Sequence, residues 1–123
     1  MCLMIVDDNP EMRRVMRRTL SSIATEIVEC EGGAEALEAY ARWRPDWVLM
    51  DIEMDGGDGI TATRQITAAF PEARIVILTS HGDEPLRAAA RAAGACGYVL
   101  KENLFELRRL LRASPPADWR LQC

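Results

Sequence analysis

Short apolar runs alternate five times with longer amphipathic stretches along this chain. The short runs are rich in β-branched residues and cover positions 2–6, 27–30, 47–50, 75–78 and 97–100. Continuous apolar character over so few residues is typical of strands that are buried on both faces of a parallel sheet. Because parallel strands are joined by right-handed helical crossovers, the alternation predicts an α/β fold, a single doubly wound (βα)5 sandwich.

The stretches between the apolar runs carry large apolar residues at helical spacing. The clearest stripe follows Pro10, a residue that suits the first turn of a helix, and consists of Met12, Val15, Met16, Leu20 and Ile23. Three further stripes are Leu37, Tyr40 and Ala41; Ile60, Ile66 and Phe70; and Leu104, Leu107, Leu110 and Leu111. The alanine-rich segment 86–93 predicts a helix by propensity, and Gly94 is expected to end it.

The length of 123 residues predicts one domain. We expect this domain to span residues 1–113, because Ser114, Pro115 and Pro116 break the last helical stripe and leave residues 114–123 as a tail or a truncated linker. The net charge of −4 offers no basic surface for nucleic acid, so we expect none to be bound by this domain alone.

The sequence contains neither a membrane helix nor a secretory signal that we can identify. A membrane helix needs about 20 predominantly apolar residues, and the apolar runs here are far shorter. The N-terminus lacks the basic region and cleavage site of a signal peptide. The cysteines, at positions 2, 30, 96 and 123, are too scattered for a disulfide framework or a zinc site. We expect the first three of them to be small buried residues. These features predict a cytoplasmic protein without membrane contacts.

Candidate site residues follow the first, third, fourth and fifth predicted strands. Because ligands of open parallel sheets bind outside the carboxyl ends of the strands, these residues are the candidate site. In chain order they are Asp7 and Asp8; Asp51 with Glu53; Thr79; and Lys101.

The chemistry of this set points to a cation and a phosphoryl group. Like charges about 4 Å apart repel by roughly 4 kcal/mol at a surface-like dielectric, so three clustered carboxylates require a cation or a shared proton. A set made of oxygen ligands suits Mg²⁺. A carboxylate such as Asp51 can attack phosphorus, while Lys101 and Thr79 supply an ammonium and a hydroxyl to the phosphoryl oxygens.

These residues resemble the receiver domain of bacterial two-component response regulators, over residues 2–113. The motifs that carry the resemblance are the acid pair Asp7-Asp8, Asp51 within segment 48–54, the pair Thr79-Ser80, and Lys101. Segments 56–60 and 94–101 look most similar to the NarL/FixJ-type subfamily. The resemblance implies the flavodoxin-like fold of the chemotaxis regulators, with strand order 2-1-3-4-5.

The resemblance also implies the ligands of Mg²⁺. Asp8 and Asp51 would bind the ion directly, and Asp7 would bind it through water. The backbone carbonyl of Glu53 would complete the protein ligands.

A phosphorylation switch is the function that the resemblance implies. Asp51 would accept a phosphoryl group from a sensor histidine kinase or a phosphotransfer protein, and Lys101 would pair with it. Thr79 would move towards it as the switch, and the rotamer of Tyr98 would follow. The domain would thus be a phosphoacceptor rather than a turnover enzyme.

The output that the resemblance implies is protein contact. The fourth helix, fifth strand and fifth helix would form the surface for a homodimer or an effector. Transcription would be regulated through a DNA-binding helix-turn-helix domain outside these residues.

Two positions depart from the family pattern. Asp55 and Glu102 stand where many receivers have proline, and we expect a trans peptide bond before Glu102. His81 is expected to be a solvated loop residue that could line the rim of the site.

Three of these motifs also have purely structural interpretations. Asp7-Asp8 could cap a helix, Thr79-Ser80 could be part of a turn, and Tyr98 could be an ordinary core residue. The spacing from Asp51 resembles an EF-hand loop, but Ala62 stands where that loop needs a bidentate Glu.

Two other functions remain as alternatives. One is a pseudo-receiver, an interaction module that is never phosphorylated, although its expected signature is the loss of a site residue. The other is a phosphoester hydrolase with Asp51 as nucleophile, for which the chain offers no insertion long enough to form a cap.

Overall fold

The computed structural model describes residues 1–54 and 58–112 of the chain. Strands and helices alternate strictly. The strands are β1 (Cys2–Val6), β2 (Glu26–Cys30), β3 (Trp47–Met50), β4 (Ile75–Thr79) and β5 (Gly97–Leu100). The helices are α1 (Pro10–Leu20), α2 (Gly33–Trp43), α3 (Gly59–Ala69), α4 (Glu84–Ala92) and α5 (Leu104–Arg112).

The five strands form one parallel sheet in the order β2-β1-β3-β4-β5. This confirms the predicted fold class and strand order. The boundaries differ only slightly, since β2 begins one residue earlier than expected and β4 extends to Thr79. The predicted tail, residues 114–123, lies outside the described residues, as do Asp55 and Cys123.

Successive strand residues point to opposite faces of the sheet and form two cores. Met4 and Val6 of β1 belong to the core that is covered by α2, α3 and α4. Leu3 and Ile5 belong to the core that is covered by α1 and α5. With both faces covered, the residues that follow the strands are free to form a site at the carboxyl edge. None of the helices in the described ranges is long and apolar enough to cross a membrane.

Helix α1 packs on the sheet along a narrower line than its apolar stripe predicted. Met16 and Leu20 are buried, whereas Val15 is exposed. Met16 and Leu20 are four residues apart and lie above one another on the helix, while Val15 is displaced sideways around its axis. The apolar stripe therefore includes one residue, Val15, that faces solvent.

The cysteines are buried to different extents. Cys30 is buried, and desolvation, followed by the nearby charge of Glu35, raises the pKa of its thiol to about 11. Cys2 and Cys96 are only partly buried, contrary to the expectation for them. The peptide bond before Glu102 is trans, as predicted.

Candidate functional site

Backbone hydrogen bonds continue past the strands and fix three of the predicted site residues at the carboxyl edge. The amide of Asp7 donates to Cys30 O (3.1 Å) and that of Asp51 donates to Val6 O (3.0 Å). The amide of Lys101 donates to Thr79 O (2.8 Å). Each residue is thus tied to the neighbouring strand. The three residues therefore lie at the same edge of the sheet.

Lys101 lies between two carboxylates. Its Nζ atom is 3.0 Å from Asp7 Oδ2 and 3.3 Å from Asp51 Oδ2. Both aspartates are buried, and the side chain of Lys101 is only 19% exposed. Since buried charges need partners, one ammonium shared by two carboxylates leaves net negative charge in the site.

These contacts shift the pKa values of the groups involved. Burial raises the pKa of Asp51 above its usual range, and the neighbouring charge of Asp7 adds to the rise, although Lys101 opposes both. Burial alone would lower the pKa of Lys101, but the hydrogen bond to Asp7 and the charge of Asp51 raise it. The site therefore holds a firmly protonated ammonium beside a carboxyl group that resists ionisation.

The raised pKa of Asp51 predicts how the stability of the metal-free protein, measured in EDTA, depends on pH. A raised pKa in the folded state means that ionisation of Asp51 opposes folding at any pH above its unfolded pKa of about 4. Asp51→Asn removes this penalty. We expect the variant to have a larger free energy of unfolding than the wild type at pH 7, with the gain vanishing as the pH falls towards about 4. Urea unfolding across this pH range measures it.

The exposed Asp83 provides the control for this prediction. Its side chain makes no capping hydrogen bond at the start of α4, so Asp83→Asn should change stability little at either pH. A loss of stability in Asp51→Asn at pH 7 would contradict the raised pKa.

The loop between β1 and α1 holds the acid pair. Asp7 Oδ1 accepts the amide hydrogen of Asn9 at 2.9 Å. The side chain of Asn9 in turn accepts from the amides of Glu11 and Met12 and caps α1. The helix cap is therefore Asn9, and the alternative in which the acid pair caps the helix is wrong.

Three carboxylates meet in a geometry that suits a metal ion. Asp7, Asp8 and Asp51 each offer an oxygen, and these atoms lie within 4.8 Å of one another. Asp7 Oδ2 is fully buried, and the Lys101 ammonium lies 3.0 Å from it. Carboxylate oxygens are the ligands that Mg²⁺ prefers. The residues present therefore fit Mg²⁺.

Glu53 and His81 lie at the rim of the site. The carboxylate of Glu53 is 3.2 Å from His81 Nε2, and both side chains are well exposed. The carboxylate of Glu53 thus faces His81, in the loop after β4. That the backbone carbonyl of Glu53 takes part in the site stays a prediction.

Thr79 and Tyr98 are both tied to the loop after β4. Thr79 is buried, and its Oγ1 accepts a long hydrogen bond of 3.4 Å from the amide of His81. The hydroxyl of Tyr98 donates to the carbonyl of His81, and the guanidinium of Arg87 lies 4.6 Å from the centre of its ring. One loop therefore connects the two residues predicted to switch.

Two residues that shape the site were missed from the sequence. Arg13 donates from one guanidinium nitrogen to the carbonyl of Asp7 at 2.6 Å. Gly59 is the first residue of α3 and lies against the backbone of Asp51, the residue that follows β3. A Cβ atom at Gly59 would lie 1.9 Å from Asp51 O. A single sequence gives no signal for either contact, since both depend on how a helix meets a strand end.

Comparison with known proteins finds relatives that match most of the chain. Residues 3–113 match the family described as the response regulator receiver domain. The chemotaxis protein CheY of Halobacterium salinarum is 40% identical over 99 residues, covering 80% of this chain and 82% of that protein. CheY of Bacillus subtilis is 38% identical over 112 residues, covering 90% and 92%. The response regulator MprA of Mycobacterium leprae is 35% identical over 123 residues, which cover 96% of this chain but 54% of MprA.

Solved structures with this fold include receivers of the subfamily that the sequence indicated. A two-component response regulator of the LuxR family from Aurantimonas sp. SI85-9A1 has a TM-score of 0.80 at 34% identity, covering 89% of this chain and 83% of that one. The signal receiver domain of NarL from Mycobacterium tuberculosis has a TM-score of 0.75 at 29% identity, covering 82% and 83%. The likeness therefore extends over most of the chain in both sequence and structure.

Proposed function

This chain belongs to the response regulator receiver domain family of two-component systems, and we propose that it accepts a phosphoryl group on Asp51. Receivers are phosphoacceptor signalling domains, and phosphorylation and Mg²⁺ are general features of the family. The observation that carries the proposal is the position of Lys101, whose ammonium is 3.3 Å from Asp51 Oδ2 at the edge shared with Asp7 and Asp8.

The transfer joins an oxygen of Asp51 to phosphorus while the bond from phosphorus to the donor breaks. With a phosphohistidine donor, the broken bond is P–N, and the departing imidazole nitrogen keeps the electron pair and takes a proton from water. The transferred group brings negatively charged oxygens into a site that is already acidic. Lys101 neutralises part of that charge, and it is held in place before the reaction by Asp7.

The proposed Mg²⁺ ligands are Asp8, Asp51 and the backbone carbonyl of Glu53, with Asp7 acting through water. An indirect role suits Asp7, because its Oδ1 already accepts from Asn9 and its Oδ2 faces Lys101. When bound, Mg²⁺ supplies the positive charge that allows phosphoryl oxygens to approach clustered carboxylates.

The proposed switch uses Thr79 and Tyr98. The 3.4 Å hydrogen bond to Thr79 Oγ1 is longer than usual and therefore weak, so its hydroxyl can turn towards a new phosphoryl oxygen at little cost. The loop that donates this bond also accepts the hydroxyl of Tyr98 through His81 O. A change at Thr79 would therefore alter the surface made by α4, β5 and α5.

That surface is the proposed site of partner binding or homodimerisation. It presents Phe105 of α5, whose side chain is 70% exposed, and Arg87 and Arg91 beside Tyr98. Exposed aromatic and arginine side chains are enriched at protein interfaces. Such contacts would control an effector or, through a DNA-binding domain, transcription. The phosphodonor that we propose is a sensor histidine kinase or phosphotransfer protein in the cytoplasm.

Intact mass measurement after incubation with acetyl phosphate tests the phosphoacceptor. We expect the wild type to gain one phosphoryl group with Mg²⁺ and none with EDTA. Asp51→Asn should gain none, because its amide cannot replace the nucleophilic carboxylate. Asp83→Asn, which alters an exposed aspartate, should behave as the wild type.

The other outcomes identify the alternatives. Phosphorylation of Asp51→Asn would place the acceptor elsewhere. Absence of both an adduct and divalent cation binding would favour the phosphorylation-independent pseudo-receiver. Continuous turnover of p-nitrophenyl phosphate would instead indicate a hydrolase.

A further inference from the structure

We propose that Arg13 is a positioning residue for divalent cation binding, a role that rests on the proposed function of the site. Arg13 lies in α1, and its side chain is only 12% exposed. Among the described residues, no hydrogen bond or ion pair joins it to Asp51 or Lys101. Its guanidinium connects three elements: the helix that carries it, the end of β1 and strand β2.

The contact with β1 is made at the peptide between the two acidic residues. A terminal nitrogen of Arg13 donates to Asp7 O at 2.6 Å, a short charge-assisted hydrogen bond. This carbonyl belongs to the peptide unit that joins Asp7 to Asp8. Because a peptide unit is planar, holding its oxygen fixes the rotation of the unit. This rotation in turn sets the direction in which the Asp8 side chain projects from the backbone.

The same guanidinium is itself held in place. Arg13 Nε donates to Glu29 Oε1 at 2.8 Å, and Glu29 accepts two bonds from Arg17, at 2.6 and 2.9 Å. These hydrogen bonds, opposed by burial, lower the pKa of Glu29, so its carboxylate is ionised when the site is in use. Glu29 therefore orients Arg13, and Arg13 orients the acid pair.

The positive charge of Arg13 and its contact with the Asp7–Asp8 peptide predict opposite effects on metal affinity. The guanidinium is a cation near a proposed cation site, so its charge alone weakens metal binding, and removing it should tighten binding. A positioning role predicts the reverse, because a free Asp7–Asp8 peptide has to be ordered when the metal binds. Residues that orient metal ligands typically contribute about 10-fold or more to affinity.

Arg17 provides a matched control. It lies one helical turn along α1, contacts the same carboxylate, and donates to a backbone carbonyl, but that carbonyl is Ile27 O in β2. Replacing either arginine by methionine removes one positive charge and one partner of Glu29. Only the replacement of Arg13 releases Asp7 O.

Titration with Mn²⁺, followed by the EPR signal of the free ion, measures binding without phosphorylation. For Arg13→Met we expect about 10-fold weaker binding than for the wild type. Arg17→Met should bind as the wild type does or slightly more tightly. Arg13→Lys keeps the charge but lacks the planar fork that reaches both Asp7 O and Glu29, so it should also bind more weakly. Circular dichroism establishes that each variant is folded, and Arg13→Lys serves if Arg13→Met is not.

The results separate this inference from the function on which it rests. Wild-type protein that fails to bind Mn²⁺ overturns the proposed metal site and the positioning role together. Wild-type binding combined with unchanged or tighter binding by both Arg13 variants overturns the positioning role alone. An equal loss in Arg17→Met would assign the effect to Glu29 rather than to the Asp7 carbonyl.

Discussion

Replacing Gly59 by alanine is expected to lower the free energy of unfolding by about 3 kcal/mol, at the upper end for an overpacked site. An alanine Cβ would lie 1.9 Å from Asp51 O and 2.8 Å from the carbonyl carbon of Asp51. Both atoms are backbone and cannot move aside as a side chain would. The first turn of α3 must then separate from the end of β3, which carries the proposed phosphoacceptor. Urea unfolding of the two proteins measures the loss.

Gly82→Ala is the matched control for that substitution. The three atoms nearest to a Cβ at Gly82 would belong to side chains, with Leu100 Cδ2 at 3.2 Å and a terminal nitrogen of Arg87 at 3.6 Å. These flexible groups can shift, so we expect little loss of stability. Equal losses in the two variants would show that the approach of Gly59 to Asp51 has no special cost.

Replacing Lys101 by methionine is expected to cost about 3 kcal/mol of unfolding free energy at pH 7 in EDTA, as when one partner of a buried ion pair is removed. The ammonium lies 3.0 and 3.3 Å from two buried carboxylates, which would lose the cation that they share. The pKa of Asp51 would rise further, because Lys101 now lowers it. The loss should therefore shrink as the pH falls and Asp51 takes up a proton.

Two controls test whether charge is the cause. In the Asp51→Asn background, one of the two stranded carboxylates is gone, so Lys101→Met should cost less than it does in the wild type. Added Mg²⁺ should restore part of the lost stability by binding to the folded variant. A loss that is independent of pH and of Mg²⁺ would instead indicate that the Lys101 side chain contributes by packing.

The fold was predictable because burial on both faces leaves a strong signal in a short strand. β1, β3 and β5 match the predicted runs to the residue, and the order of the strands follows from resemblance to the family. Helix faces were predicted less well. Whether Val15 is buried depends on where α1 rests on the sheet, and an apolar stripe broader than the contact cannot specify this.

The site was predictable as far as strand ends determine it. Asp7, Asp51 and Lys101 converge because each directly follows a parallel strand. The groups that orient them were not predictable. Arg13 is one of several arginines in α1, and its distinction is a contact with a carbonyl that no sequence pattern reveals. Gly59 is likewise distinguished only by the closeness of another part of the backbone.

Lys101 has a further consequence for spectroscopy, because every other basic residue among the 15 lysines and arginines of the sequence is an arginine. Isotopic labelling with lysine alone would thus place a single NMR-active ammonium in the protein. That ammonium lies between Asp7 and Asp51, so its signal needs no assignment and reports directly on both neighbours. Metal binding and acyl phosphate formation could each be followed in real time on that one resonance.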